Sequence, residues 1–329
     1  MLESYHKIPA LLIASLLPVI AAEPFKPLPI LAGGEVIPLY PPDSPFLNQA
    51  RIGEPESYNS TFKVKQDSII NVLNIHNPSI EVHLAPNDEK NTGTAIILAP
   101  GGGHKILWVD PEGVEWVPHF AKLGISTIIL RNRLRSDGYE PYTDATYDAQ
   151  QAIRIVRSRA AEWKIDPNKI GIMGFSAGAE LAAASALSFP EFEKKISSEK
   201  DPLAKNSARP DFVGLLYPGP TSFTRDPATA IPANVPPAFI ACSGSTDKIH
   251  AVWAADYFNP MLLAGVPNLE MHIYARGGHG NPKRGPNEIP YASWSDRFDV
   301  WLGDLGFLGK PGEITRAAKD SAAFAAKPR

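Results

Sequence analysis

Residues 174–178 read Gly-Phe-Ser-Ala-Gly, a G-x-S-x-G pentapeptide whose surroundings leave it few folds to belong to. Lys169-Ile-Gly-Ile-Met173 before it is short and apolar, as a buried parallel strand should be. Residues 179–187 hold five alanines and two leucines and predict a helix directly after it. A serine on a sharp strand-to-helix turn presents its hydroxyl above the sheet edge. The flanking glycines let strand and helix pass close together. The pentapeptide alone often arises by chance, and the strand and helix around it argue against chance here.

The remainder of the chain supplies a sheet for that strand. Residues 69–75 and 80–84 alternate in part, flank Asn77-Pro78, and predict an antiparallel hairpin. Apolar runs at 94–98, 127–130, 212–217, 238–242 and 269–274 predict further strands. Between them, residues 114–123, 147–163, 251–263 and 294–305 predict helices, with Asp144 or Thr146 as a cap for the second. This alternation predicts an α/β fold. Its mostly parallel, twisted sheet has about eight strands, helices on both faces and the N-terminal hairpin at one edge. A chain of 329 residues, 44% of them hydrophobic, has ample core for it.

With no internal repeat and no clean linker, one catalytic domain is expected over residues 68–308. Prolines crowd residues 24–55, so residues 23–67 are expected to be an extended arm rather than helix or strand. Residues 189–211, rich in Lys, Glu and Ser, read as a solvated surface excursion, and residues 309–329 as a loose tail.

Residues 1–22 read as a signal peptide. His6 and Lys7 give a weakly basic start, an apolar run covers 11–20, and Ala21 and Ala22 offer small residues for cleavage. The run is short for a bilayer span, and an uncleaved anchor is the alternative. Cys242 is the only cysteine and reads as a buried small hydrophobe, so no intrachain disulfide can form. Export without disulfides suits a bacterial periplasm or medium. A net charge of -3 gives no footprint for nucleic acid or an anionic membrane. No metal-spaced Cys/His cluster and no phosphate-binding motif is visible, so no metal and no cofactor are expected. No feature assigns an oligomeric state.

A serine hydroxyl needs a base to take its proton and an acid to hold that base in the right tautomer. After a G-x-S-x-G turn these partners come later, in the order Asp then His, each in a loop following a strand. Asp247, in Ser243-Gly-Ser-Thr-Asp247, and His279, in Gly277-Gly-His-Gly280, stand where that order requires. The alternative for Asp247 is a helix cap. Among other histidines, His272 lies inside a strand and His250 would begin the next helix. His104 and His119 precede the serine, and His6 belongs to the signal. Donors for a developing oxyanion are expected from Gly101-Gly102-Gly103, after a strand, and from the N–H of Ala177.

Together these segments resemble the bacterial carbohydrate-esterase branch of the α/β-hydrolases, which includes acetylxylan esterases and bifunctional acetylxylan/feruloyl esterases. The resemblance runs from about residue 69 to 305. It rests on Pro100-Gly-Gly-Gly103, Glu112-Gly113, Asp148-Ala-Gln150, Ala152-Ile-Arg154, Arg157, Trp163-Lys-Ile-Asp166-Pro167, the residues 170–178 and Gly277-Gly-His-Gly280. It implies an α/β-hydrolase fold with Ser176, Asp247 and His279 as catalytic triad and Gly102, Gly103 and Ala177 as oxyanion donors. Arg157, Trp163 and Asp166 are then structural. It implies an exported serine esterase removing acetyl or feruloyl groups from plant polysaccharide such as xylan. A general short-chain carboxylesterase, a prolyl-oligopeptidase-like peptidase and a non-catalytic binding protein are the alternatives. The chain departs from the branch at His104, where tyrosine is usual, at Ala179-Glu180, where Gly-His is usual, and at Asn132-Arg133, where Tyr-Arg is usual. Those changes put substrate identity in question. His104, Trp108, Tyr142 and Glu180 are therefore the candidate pocket residues. Trp108, Trp116 and Tyr142 are either stacking partners for an aromatic acyl group or ordinary core and surface aromatics.

Overall fold

Runs of β-branched and aliphatic residues without a polar face can be buried only if both sides of a sheet are covered. The computed structural model describes residues 23–60, 69–196, 201–280 and 289–327. Its strands are β1 (Glu35–Pro38), β2 (Ser57–Ser60), β3 (Ile69–Leu73), β4 (Ser79–His83) and β5 (Ala95–Ala99). They continue as β6 (Ser126–Arg131), β7 (Ile170–Phe175), β8 (Val213–Leu216), β9 (Ala238–Ser243) and β10 (Glu270–Tyr274). Eight form one sheet in the order β1-β4-β6-β5-β7-β8-β9-β10. β1, β4 and β6 pair antiparallel, and every pair from β6 to β10 is parallel. Each residue of β5 to β9 is buried.

The helices are α1 (Val117–Lys122), α2 (Thr146–Ser158), α3 (Ala177–Ile196), α4 (Ser222–Arg225), α5 (Lys248–Leu263), α6 (Trp294–Asp304) and α7 (Arg316–Ala325). They cover both faces. Gly174 lies so close to α3 that a Cβ there would sit 2.1 Å from the carbonyl oxygen of Gly178. Phe175, one residue on and so on the other face, packs its ring against Trp294 of α6 and Trp116 before α1. The sheet and helices are those of an α/β-hydrolase fold.

Five expectations need correction. The strands at 69–73 and 79–83 both form, but not as a hairpin. β3 pairs with β2 in a separate two-stranded sheet, while β4 enters the main sheet between β1 and β6. The proline-rich stretch is not free of regular structure, because β1 lies within it and pairs with β4. Leu39, Tyr40, Leu47 and Ile52 from the same stretch enter the main core. Prolines end that strand without interrupting it, and they sit at its edge, where no ladder N–H is lost. Residues 189–196 continue α3 despite Pro190, and Phe189 and Phe192 bury against Ala208. Apolar residues three apart on that helix outweigh the polar composition around them. The C-terminal stretch forms α7, whose Ala317 and Phe324 join the core and whose Thr315 caps it by accepting from the N–H of Ala318. At α2 neither Asp144 nor Thr146 caps; the helix begins at Thr146 after an irregular turn.

The signal segment, residues 1–22, lies outside the described residues, as do 197–200 of the excursion and 328–329 of the tail. No helix among the described residues is long and apolar enough to cross a membrane. Cys242 is buried, and burial pushes its thiol up to about 12.

Candidate active site

Parallel strands share one carboxyl edge, and β5, β7, β8, β9 and β10 are neighbours in the sheet. The segments that follow β5, β7, β9 and β10 therefore emerge side by side. Ser176 follows β7, the glycine loop follows β5, Asp247 follows β9, and His279 follows β10.

Ser176 sits in the left-handed region at φ 51°, with its N–H donating to the carbonyl of Leu216 at 2.9 Å. Strain of this kind is stored where the surroundings fix it, here by two glycines. Gly174 meets α3 as described, and a Cβ on Gly178 would fall 1.9 Å from the carbonyl oxygen of Ala99. Ser176 Oγ lies 2.9 Å from His279 Nε2. His279 Nδ1 lies 3.0 Å from Asp247 Oδ2. A carboxylate only accepts, so Nδ1 carries the hydrogen and Nε2 is left to accept from the serine hydroxyl. Asp247 is 6% exposed, while the His279 side chain is 43% exposed. Asp247 stands at the head of α5, yet its side chain makes no capping bond there.

The glycine loop is pressed against the serine. A Cβ on Gly101 would come 2.9 Å from Ser176 Cβ, and one on Gly102 2.0 Å from the carbonyl oxygen of Ile106. Gly102 and Gly103 have φ of 132° and 63°. The N–H of Gly101 donates to Glu112 Oε2 at 2.6 Å, and Tyr217 donates its hydroxyl to Glu112 Oε1 at 2.7 Å. Burial raises the Glu112 carboxyl above its ordinary value, against the opposing pull of the Tyr217 and Gly101 hydrogen bonds. Tyr217 also sets its ring edge-on to His279, with centroids 5.0 Å apart.

Three of the four candidate pocket residues come together one helical turn from Ser176. Glu180 Oε2 accepts from the Tyr142 hydroxyl at 2.9 Å and from Arg225 at 2.8 Å, and it lies 3.3 Å from His104 Nε2. His104 and Glu180 are both buried. Arg225 stacks its guanidinium on the Tyr142 ring. Burial raises the Tyr142 phenol to about 12, with Glu180 adding to the shift. Trp108 is 40% exposed, and its N–H donates to the carbonyl of Gly101. Trp116 packs against Trp294, Phe120 and Phe175 and is a core aromatic, not a pocket wall.

The residues assigned to structure stay away from the serine. Arg157 pairs with Asp211 at 2.9 Å, Arg159 lies over the Trp163 ring, and Asp166 accepts from the N–H of Gly312.

Sequence reasoning set His250 aside as the start of a helix, quoted Glu112 without giving it a role, and passed over Tyr217 and Arg225. His250 Nδ1 lies 2.5 Å from Asp247 Oδ1, and its ring lies 4.0 Å from that of His279. Its spacing of three from Asp247 puts both on one side of the first turn of α5, a signal that was available. Asp247, His250 and His279 place one ligand atom each within 4.8 Å of one another. As arranged, both Nδ1 atoms donate to the carboxylate and are not free to bind a cation.

Residues 80–225 match the BD-FAE family model, a span that contains Ser176 and ends before Asp247 and His279. An acetylxylan esterase of Xylanibacter ruminicola is 30% identical over 249 residues, which make up 66% of this chain and 45% of that protein. Endo-1,4-beta-xylanase B of Butyrivibrio fibrisolvens is 28% identical over 142 residues, 43% of this chain and 21% of that protein. The chain thus spans less than half the length of these curated relatives. Among solved structures, an acetyl ester-xyloside bifunctional hydrolase from Caldicellulosiruptor lactoaceticus superposes with a TM-score of 0.63 at 24% identity, covering 84% of this chain and 98% of that one. Esterase 2 of Thermogutta terrifontis, phosphoramylated by tabun, gives a TM-score of 0.61 at 21% identity, covering 85% and 98%. The chain therefore has an α/β-hydrolase fold, with residues 80–225 matching the BD-FAE family model and 249 aligned residues similar to an acetylxylan esterase.

Proposed function

We propose that the chain is an exported serine esterase that removes small acyl groups, acetyl first, from acylated plant polysaccharide or its fragments. The observation that carries this reading is the line from Ser176 Oγ to His279 Nε2 to Asp247 Oδ2, with steps of 2.9 and 3.0 Å. Ser176 Oγ attacks the ester carbonyl while His279 Nε2 takes its proton. Asp247 holds the ring in the tautomer this requires and faces the imidazolium that forms. The N–H groups of Gly102, Gly103 and Ala177 receive the oxyanion. His279 then returns the proton to the leaving alcohol. In the second half it draws a proton from water, which attacks the acyl-enzyme and frees Ser176.

The acetyl preference is supported by the polar cluster of His104, Tyr142, Glu180 and Arg225 one helical turn from Ser176, with His104 and Glu180 buried. It leaves little apolar surface for a long acyl chain. The named activity of the Xylanibacter relative supports the polysaccharide side of the reading. Trp108, exposed beside the glycine loop, favours feruloyl as a second acyl class. Acetylated xylan, methyl ferulate and a prolyl anilide, each offered to the parent and to Ser176→Ala, test the reading. Acetate release by the parent and none by the variant supports it. A variant as active as the parent, or cleavage of the anilide alone, contradicts it.

A further inference from the structure

The His279 ring stands 43% exposed on a glycine-flanked loop, yet it must hold its angle to Ser176. Asp247 fixes one ring atom, and the Tyr217 edge meets one side. Among the described residues the ring also meets His250, whose centroid lies 4.0 Å away at 31° between planes and which is itself backed by the edge of Trp253 at 5.0 Å. Asp247 is nearly enclosed, and its two oxygens are divided between the two imidazoles, Oδ2 to His279 and Oδ1 to His250. A buried carboxylate oxygen without a donor carries a desolvation cost and is free to turn toward another partner.

We propose that His250 is a positioning residue of the esterase, which anchors Asp247 through its N–H and braces His279 through its ring. The inference rests on the assignment of Ser176, His279 and Asp247 made above.

The titratable groups facing His250 are Asp247 at the head of its own helix, His279 from the loop after β10 and Glu180 from α3. Burial first, and then the neighbouring His279, disfavour a proton on His250, so the neutral ring is the form that donates Nδ1–H to Asp247.

Two variants separate the roles. In His250→Asn the amide nitrogen stands where Nδ1 was and still donates to Asp247. His250→Leu keeps bulk and loses the donor. kcat and KM for p-nitrophenyl acetate are measured across pH 5 to 8, with thermal unfolding as a check on folding. His250→Leu should lose kcat by about tenfold, with KM little changed. His250→Asn should recover most of that loss. Parental kcat in both variants overturns the proposal. So does an equal loss in both, which would make His250 mere packing. Ser176→Ala in the same assay keeps the questions apart: if it is active, the esterase assignment itself falls, whatever His250 does.

Discussion

Gly101 donates its backbone N–H to Glu112 Oε2 at 2.6 Å, so a buried carboxylate ties down the loop that faces Ser176. Because the other oxygen of Glu112 holds Tyr217, and Tyr217 packs on His279, one side chain braces both the glycine loop and His279. Glu112→Ala should lower kcat by about tenfold or more, the scale of a lost hydrogen bond to a charged group. Glu112→Gln should recover most of it, since the amide oxygen accepts from Gly101 while the Tyr217 hydroxyl reverses to accept from the amide.

The same pair gives a stability prediction with a definite sign. Burial raises the Glu112 carboxyl, so the native state holds a proton that the unfolded chain releases at ordinary carboxylate pH. Stability from this group is present at low pH and lost as pH rises through its native value. Glutamine does not titrate. The Tm of Glu112→Gln relative to the parent, read by calorimetry, should therefore climb as pH rises above the ordinary carboxylate range. A flat difference would mean the carboxyl is not raised.

Asp247→Asn tests the shared carboxylate. The amide has one oxygen for two ring N–H donors, and its nitrogen meets the second ring donor to donor. One ring must change tautomer. If that ring is His279, Nε2 can no longer accept from Ser176. kcat should fall by about a thousandfold with little change in Tm.

Two neighbouring glycines should behave differently. An alanine Cβ at Gly102 would sit 2.0 Å from the Ile106 carbonyl oxygen, whereas one at Gly103 meets nothing within 4 Å. Gly103→Ala carries only the backbone strain of φ 63°, about 1 kcal/mol. Gly102→Ala must move the loop. Activity should fall by about tenfold or more in Gly102→Ala and less than that in Gly103→Ala.

Glu180→Ala removes the carboxylate shared by Tyr142, Arg225 and the neighbouring His104. Arg225 is partly open to solvent, so the stability cost should be about 1–2 kcal/mol, below that of a fully buried pair. If this cluster is the acyl wall, the ratio of activity on methyl ferulate to activity on acetate should rise. An unchanged ratio would place the acyl group elsewhere.

The strands and the serine turn were legible because burial on both faces writes an uninterrupted apolar run, as in residues 170–175. Strand pairing was not. Asn77-Pro78 looks like a hairpin turn, but pairing is decided by partners distant in sequence, here Glu35–Pro38 for β4 and Ser57–Ser60 for β3. That Asp247 and His279 would come together at Ser176 was expected from their order after it. His250 offered a cue in its spacing of three from Asp247, whereas Glu112 and Tyr217 offered none, because their contacts depend on the shared edge of β5, β7, β8 and β9, which no local pattern records. Of the pocket candidates, Tyr142, Glu180 and His104 meet through Arg225, a residue without a sequence signal of its own.

The central claim is that Ser176 is a nucleophile activated by His279. Incubation with a fluorophosphonate, followed by peptide mass mapping, tests it most directly. The adduct should sit on Ser176 in the parent, be absent from Ser176→Ala, and form far more slowly in folded His279→Ala. An adduct on another residue, or a Ser176→Ala protein that still hydrolyses p-nitrophenyl acetate at the parental rate, would contradict it.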